Sequence, residues 1–128
     1  MVLWHPERKI GGMSHGLLPA RGTRKPVNDL DGRYCDEAIA LFSKELLRSN
    51  TRPQQYQVYV IGGGDMFQAN SKQLIGDRNV EMTRACLKAA GFNIRTEHVR
   101  GEVYRTIDLD LNTGALVLTV NKQRIQLA

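Results

Sequence analysis

A run of β-branched and aromatic residues, Tyr56 to Ile61, is closed at once by Gly62-Gly63-Gly64. Such residues suit a pleated, half-buried strand. A helical pattern follows from near Asp77 and stops before Gly91, a natural C-terminal stop. Val80, Thr83, Leu87 and Ala90 form its inner stripe. Phe92 to Val99 then reads as another strand. A strand, a helix and a strand in this order confine the chain to folds in which helices cover a sheet.

The rest of the chain agrees. Val2-Leu3-Trp4 reads as the tail of a strand, and His5-Pro6-Glu7-Arg8 as a turn. Lys9 to Leu18 reads as a second strand weakened by glycines, so the first strand of this hairpin is expected to be cut short. Pro19 to Asp31 is polar and reads as a loop, with Asp31 as a candidate cap. A helix is predicted from Arg33 to Ser49, with Cys35, Ile39, Phe42 and Leu46 inward and Tyr34, Ala38 and Leu41 widening the stripe. Val103 to Leu111 alternates, Asn112-Thr113-Gly114 suits a hairpin loop, and Leu116 to Val120 returns. The order β-β-α-β-α-β-β-β predicts an α/β (α+β) fold, a layered sheet sandwich covered by two main helices. The length of 128 residues suits one domain spanning residues 1–128.

Composition removes several function classes. Hydrophobic residues make up 41%, which is globular rather than disordered. There is no apolar run near membrane-spanning length, and the N-terminus lacks the order of a signal peptide, so the cytoplasm is the expected location. Cys35 and Cys86 fall in predicted helices and read as buried small hydrophobes. The net charge of +5 comes from scattered basic residues, densest at Arg21, Arg24 and Lys25. Aromatic residues are not interleaved with them, so nucleic acid is not an expected partner. His5, His15, His98 and the cysteines lack metal-ligand spacing, and no metal is expected.

Two places could carry chemistry. Gly62-Gly63-Gly64 follows a strand, as a phosphate-binding loop does. The Lys and Ser/Thr of a P-loop are missing, and Gly64-Asp65-Met66 would set a carboxylate against phosphate. A tight turn against another backbone is the simpler reading. The other place is Gly11-Gly12-Met13-Ser14-His15-Gly16-Leu17-Leu18-Pro19. A histidine in an apolar segment is either a satisfied core residue or a proton-transfer group, since imidazole exchanges a proton near neutral pH.

This block resembles the histidine motif of the chemoreceptor glutamine deamidases, the CheD family of bacterial chemotaxis. Tyr34 at the head of the first long helix is similar to the family. So are Gly62-Gly63-Gly64-Asp65-Met66-Phe67 and Ile75-Gly76-Asp77-Arg78-Asn79-Val80. Gly101, Arg105 and Thr113-Gly114 fit the family's C-terminal strands. The resemblance runs from Val2 to about Thr119.

The resemblance implies an α/β sandwich and a cysteine–histidine mechanism without a cofactor. A thiolate attacks the side-chain amide of a receptor glutamine, ammonia leaves, and water resolves the thioester to glutamate. His15 matches the family's base. The family's cysteine, in a Gly-Ser-Cys-type segment, and its helper threonine would fall just upstream of Met1. The chain is therefore expected to lack its N-terminal strand or strands and the nucleophile. Gly11, Gly12, Gly62, Gly63, Gly64, Met66 and Phe67 are expected near the substrate groove. Implied partners are methyl-accepting chemotaxis receptors and a CheC-like chemotaxis phosphatase. An alternative is an inactive module that binds receptor helices or that phosphatase.

Overall fold

A computed structural model describes residues 1–24, 32–65 and 74–128. Its strands are β1 (Val2–His5), β2 (Ile10–Met13), β3 (Gln57–Gly62), β4 (Ile94–Val99), β5 (Arg105–Leu109), β6 (Leu116–Val120) and β7 (Gln123–Gln126). Its helices are α1 (Cys35–Arg48) and α2 (Ile75–Ala89), with a 3₁₀ turn at Pro53–Gln55. The described residues thus form a mixed α/β fold of two helices and two sheets, as the sequence predicts.

The first sheet has the order β2-β1-β3-β4. β1 pairs antiparallel with both β2 and β3, whereas β3 and β4 are parallel. A parallel pair needs a crossover, and α2 supplies it. The second sheet is an antiparallel meander, β5-β6-β7.

The period of two along a strand explains the layering. Leu3, Val58 and Val60 join Ile39, Leu46, Leu87 and Phe92 in a core on the helix side. Val2 and Tyr59, one residue out of phase, pack with Leu116 of the meander. The first sheet is therefore covered by helices on one face and by the meander on the other. Trp4 strengthens the second contact: its Nε1 donates to the Leu111 carbonyl at 3.0 Å. A Cβ on Gly114 would overlap the Trp4 ring.

Both helices end in the same way. After α2, the Gly91 amide donates to Lys88 and the Phe92 amide to Leu87. Gly91 has φ +82°, the left-handed conformation that this ending requires. After α1, Asn50 takes that role at φ +51°, and the Asn50 and Thr51 amides reach Leu47 and Leu46.

Several boundaries differ from the sequence reading. β2 stops at Met13 instead of Leu18, because Leu17 and Leu18 leave the ladder and donate to the Arg33 carbonyl. The cap position of α1 falls on Tyr34, without a side-chain cap bond, while Asp31 lies outside the described residues. Leu41 is 38% exposed and is not a core residue. β7 was not expected. It forms because Asn121 and Lys122, both at positive φ, make a two-residue turn after β6.

Candidate active site

β2 is the edge strand of the first sheet, and its exit builds the site. The last rung of the β1–β2 pairing lies beyond the strand ends: the Ser14 amide donates to the Met1 carbonyl at 3.0 Å. Met1 nitrogen returns a bond to the Ser14 carbonyl at 2.9 Å. The chain is gripped again at Leu17, whose amide donates to Arg33 at 2.8 Å. The Cys35 amide donates to the Leu18 carbonyl at 2.9 Å. His15 and Gly16 span the gap between these two anchors.

His15 is exposed there and lines an open cavity of about 530 Å³. Met13, Ser14 and Leu17 share its side of the wall. Gly32, Arg33, Ala38, Leu41, Phe42 and Glu45 supply the other side, at the head and outer face of α1. Met13 is 49% exposed and Leu17 53%, so an apolar rim surrounds the imidazole. The wall combines apolar side chains with the polar groups of Ser14, His15, Arg33 and Glu45.

The glycines ahead of His15 work through close packing. A Cβ on Gly12 would stand 2.5 Å from Phe42 Cε1, and one on Gly11 would stand 2.5 Å from the Leu3 carbonyl. Gly12 thereby admits Phe42 to the cavity wall. Gly62, Gly63 and Gly64 lie at the end of β3. Gly63 fits against Gly76 and Val80 of α2, and Gly64 against the Gly101 carbonyl. The Asp65 amide also donates to Gly101, at 3.2 Å. Met66 and Phe67 lie outside the described residues.

Neither cysteine offers a ready nucleophile. Cys35 stands close to the site, since a Cβ on Gly16 would be 2.6 Å from its Sγ. It is buried, and burial pushes its thiol pKa up, with a hydrogen bond from Thr83 opposing. Burial likewise raises the thiol of Cys86, which packs 3.6 Å from Met82 Sδ. A raised thiol pKa leaves little thiolate for attack. Both cysteines are free.

Sequence reasoning missed four contributors. Arg33, Leu41 and Glu45 become cavity wall only because the segment after β2 docks on α1. Asn79 reaches across from α2, its Nδ2 donating to the Leu17 carbonyl at 3.1 Å. The basic loop is partly neutralised: Arg21 forms a two-point ion pair with Glu37 at 2.5 and 3.1 Å and lies 4.5 Å over the Tyr34 ring. No helix among the described residues is long and apolar enough to cross a membrane.

Comparison with known proteins gives this chain a family. The model of the CheD family, described as CheD chemotactic sensory transduction, matches residues 17–120. The probable chemoreceptor glutamine deamidase CheD 2 of Albidiferax ferrireducens is 39% identical over 117 residues, covering 89% of this chain and 68% of that protein. The probable chemoreceptor glutamine deamidase CheD 3 of Dechloromonas aromatica is 40% identical over 116 residues, with the same coverage of 89% and 68%. A probable chemoreceptor glutamine deamidase CheD from Pseudomonas syringae pv. tomato is 37% identical over 118 residues, covering 89% and 69%. A family match over most of the sequence, joined to relatives at this identity, means that the chain belongs to the CheD family.

Proposed function

We propose that residues 1–128 work as one domain in the cytoplasm, carrying the base and the substrate wall of a glutamine deamidase that acts on chemotaxis receptors. His15 is the general base. The nucleophile is a cysteine in sequence preceding Met1. One observation carries the reading: exposed His15 follows directly on the Met1–Ser14 rung, at the wall of the cavity. Sequence continuing that antiparallel ladder ahead of Met1 would run beside His15.

The chemistry balances with those two groups. His15 takes the thiol proton, and the thiolate attacks the glutamine carboxamide carbon. The imidazolium returns the proton to the departing ammonia, leaving a thioester. His15 then deprotonates water, which attacks the thioester and releases glutamate and thiol. Met13, Leu17 and Leu41 seat the apolar side of a receptor helix, with Gly11 and Gly12 as the close-packed backbone beneath. Gly62, Gly63 and Gly64 border the groove in this reading.

Cys35 is buried, whereas Cys86 is only half-buried, against the expectation for it. The raised pKa of both thiols favours a second reading for the 128-residue chain alone: it binds receptor helices, or a CheC-like phosphatase, without turnover. Ammonia release from receptor fragments separates the two. A chain extended upstream to include a cysteine should release ammonia, and His15→Ala should abolish the release. Release that survives His15→Ala would remove His15 as the base, and absence of release from the extended chain would leave binding alone.

A further inference from the structure

We infer that Asn79 is a positioning residue for His15, holding the histidine segment in register from α2. The inference rests on the reading of His15 as the working base. The Asn79 Nδ2–Leu17 carbonyl bond of 3.1 Å joins residues 62 apart in sequence, two positions beyond His15. It is a side-chain bond from α2 to the segment that leaves β2. The other bonds holding this segment, at Ser14, Leu17 and Leu18, are backbone bonds to the strand and to the approach to α1.

The carboxamide has a fixed orientation. Asn79 Oδ1 is buried with no hydrogen-bond partner among the described residues. Turning the amide over would place that oxygen against the Leu17 carbonyl, so the donor role fixes the orientation.

The start of α2 is itself seated firmly. A Cβ on Gly76 would lie 2.5 Å from the Gly63 carbonyl, and one on Gly63 would overlap Val80. Gly63 has φ +62°, so the turn that receives α2 suits glycine. Asn79 sits one turn beyond this contact. The Gly62–Gly64 turn and the Ile75–Val80 segment therefore act on the site together: the turn sets the helix, and the helix sets the histidine segment through Asn79.

Labelled protein of the present 128 residues tests this by NMR, with no turnover required. Asn79→Asp keeps the shape and removes the donor. It should move the His15 Cε1–H resonance. It should also speed exchange of the Leu17 and Leu18 amides by roughly tenfold, the scale of one lost hydrogen bond. His5, which is buried, and His98, which accepts a bond from Arg105, should keep their resonances. Unchanged His15 and Leu17 signals would overturn the inference. Equal disturbance at all three histidines would also overturn it, by making Asn79 a residue of the general fold. Should Asn79→Asp fail to fold, Asn79→Ser, too short to reach Leu17, must give the same selective pattern or the inference falls. A failed ammonia assay beside a positive NMR pattern would remove the catalytic reading and leave the tether standing.

Discussion

Gly76 and Gly63 meet backbone to backbone, with room for no side chain on the Gly76 position: a Cβ there would stand 2.5 Å from the Gly63 carbonyl oxygen. A glycine inside a helix normally gains about 0.4–1 kcal/mol when replaced by alanine. Here the sign should reverse. Gly76→Ala forces α2 away from the turn after β3, and overpacking of this kind costs roughly 1–3 kcal/mol. A lower urea midpoint checks it; a higher midpoint would mean that the contact is loose.

Leu87 is fully buried between α2 and the first sheet, whereas Leu47 on α1 is 81% exposed. Leu87→Ala should cost about 2–5 kcal/mol through lost burial and a residual cavity. Leu47→Ala should change stability by no more than about 0.5 kcal/mol. Paired chemical denaturation curves read the contrast.

Arg84 grips Glu97 with two bonds, 2.9 and 2.6 Å, and so ties α2 to β4. The hydrogen bonds from Arg84 hold the Glu97 carboxyl below its ordinary 4.5, with burial opposing. A depressed folded-state pKa gives stability that is complete above the unfolded value and is lost as pH falls through the folded one. Glu97→Gln should therefore lower the denaturation midpoint at neutral pH. The gap from the parent protein should close as the pH falls below 4.5. A gap that is independent of pH would show that the charge contributes nothing.

Cys35 and Cys86 should resist a thiol reagent in the folded protein at mildly alkaline pH, because burial raises both thiols. Denaturant should release two thiols promptly. Rapid folded-state labelling of Cys35 would reopen it as a nucleophile beside Gly16.

Much of the fold was legible because its elements carry strong periods. The inner stripe of α2 and the β-branched residues of β3 both pack where the pattern sends them. β7 escaped because all four residues are exposed, so no alternation marks it; Asn121 at the turn was the usable signal. β2 was overread because Leu17 and Leu18 look like strand residues, yet their amides answer to Arg33, a partner that sequence order hides. The His15 block was visible through its motif. Its surroundings were not: Leu41 reads as core on a helical wheel, and only the docking of the histidine segment turns it into a wall. The Asn79 bond depends on the same long-range docking.

Trp4 is the sole tryptophan of the chain, and it stands where the two sheets join, under Gly114 and bonded to Leu111. The molecule thus carries its own optical gauge at that joint. Detachment of the meander would change the emission of this indole even while the helices stayed folded, so fluorescence and helical circular dichroism would part company if the two halves melt separately. Coincident curves would instead mark the doubly covered sheet as the element that makes unfolding all-or-none.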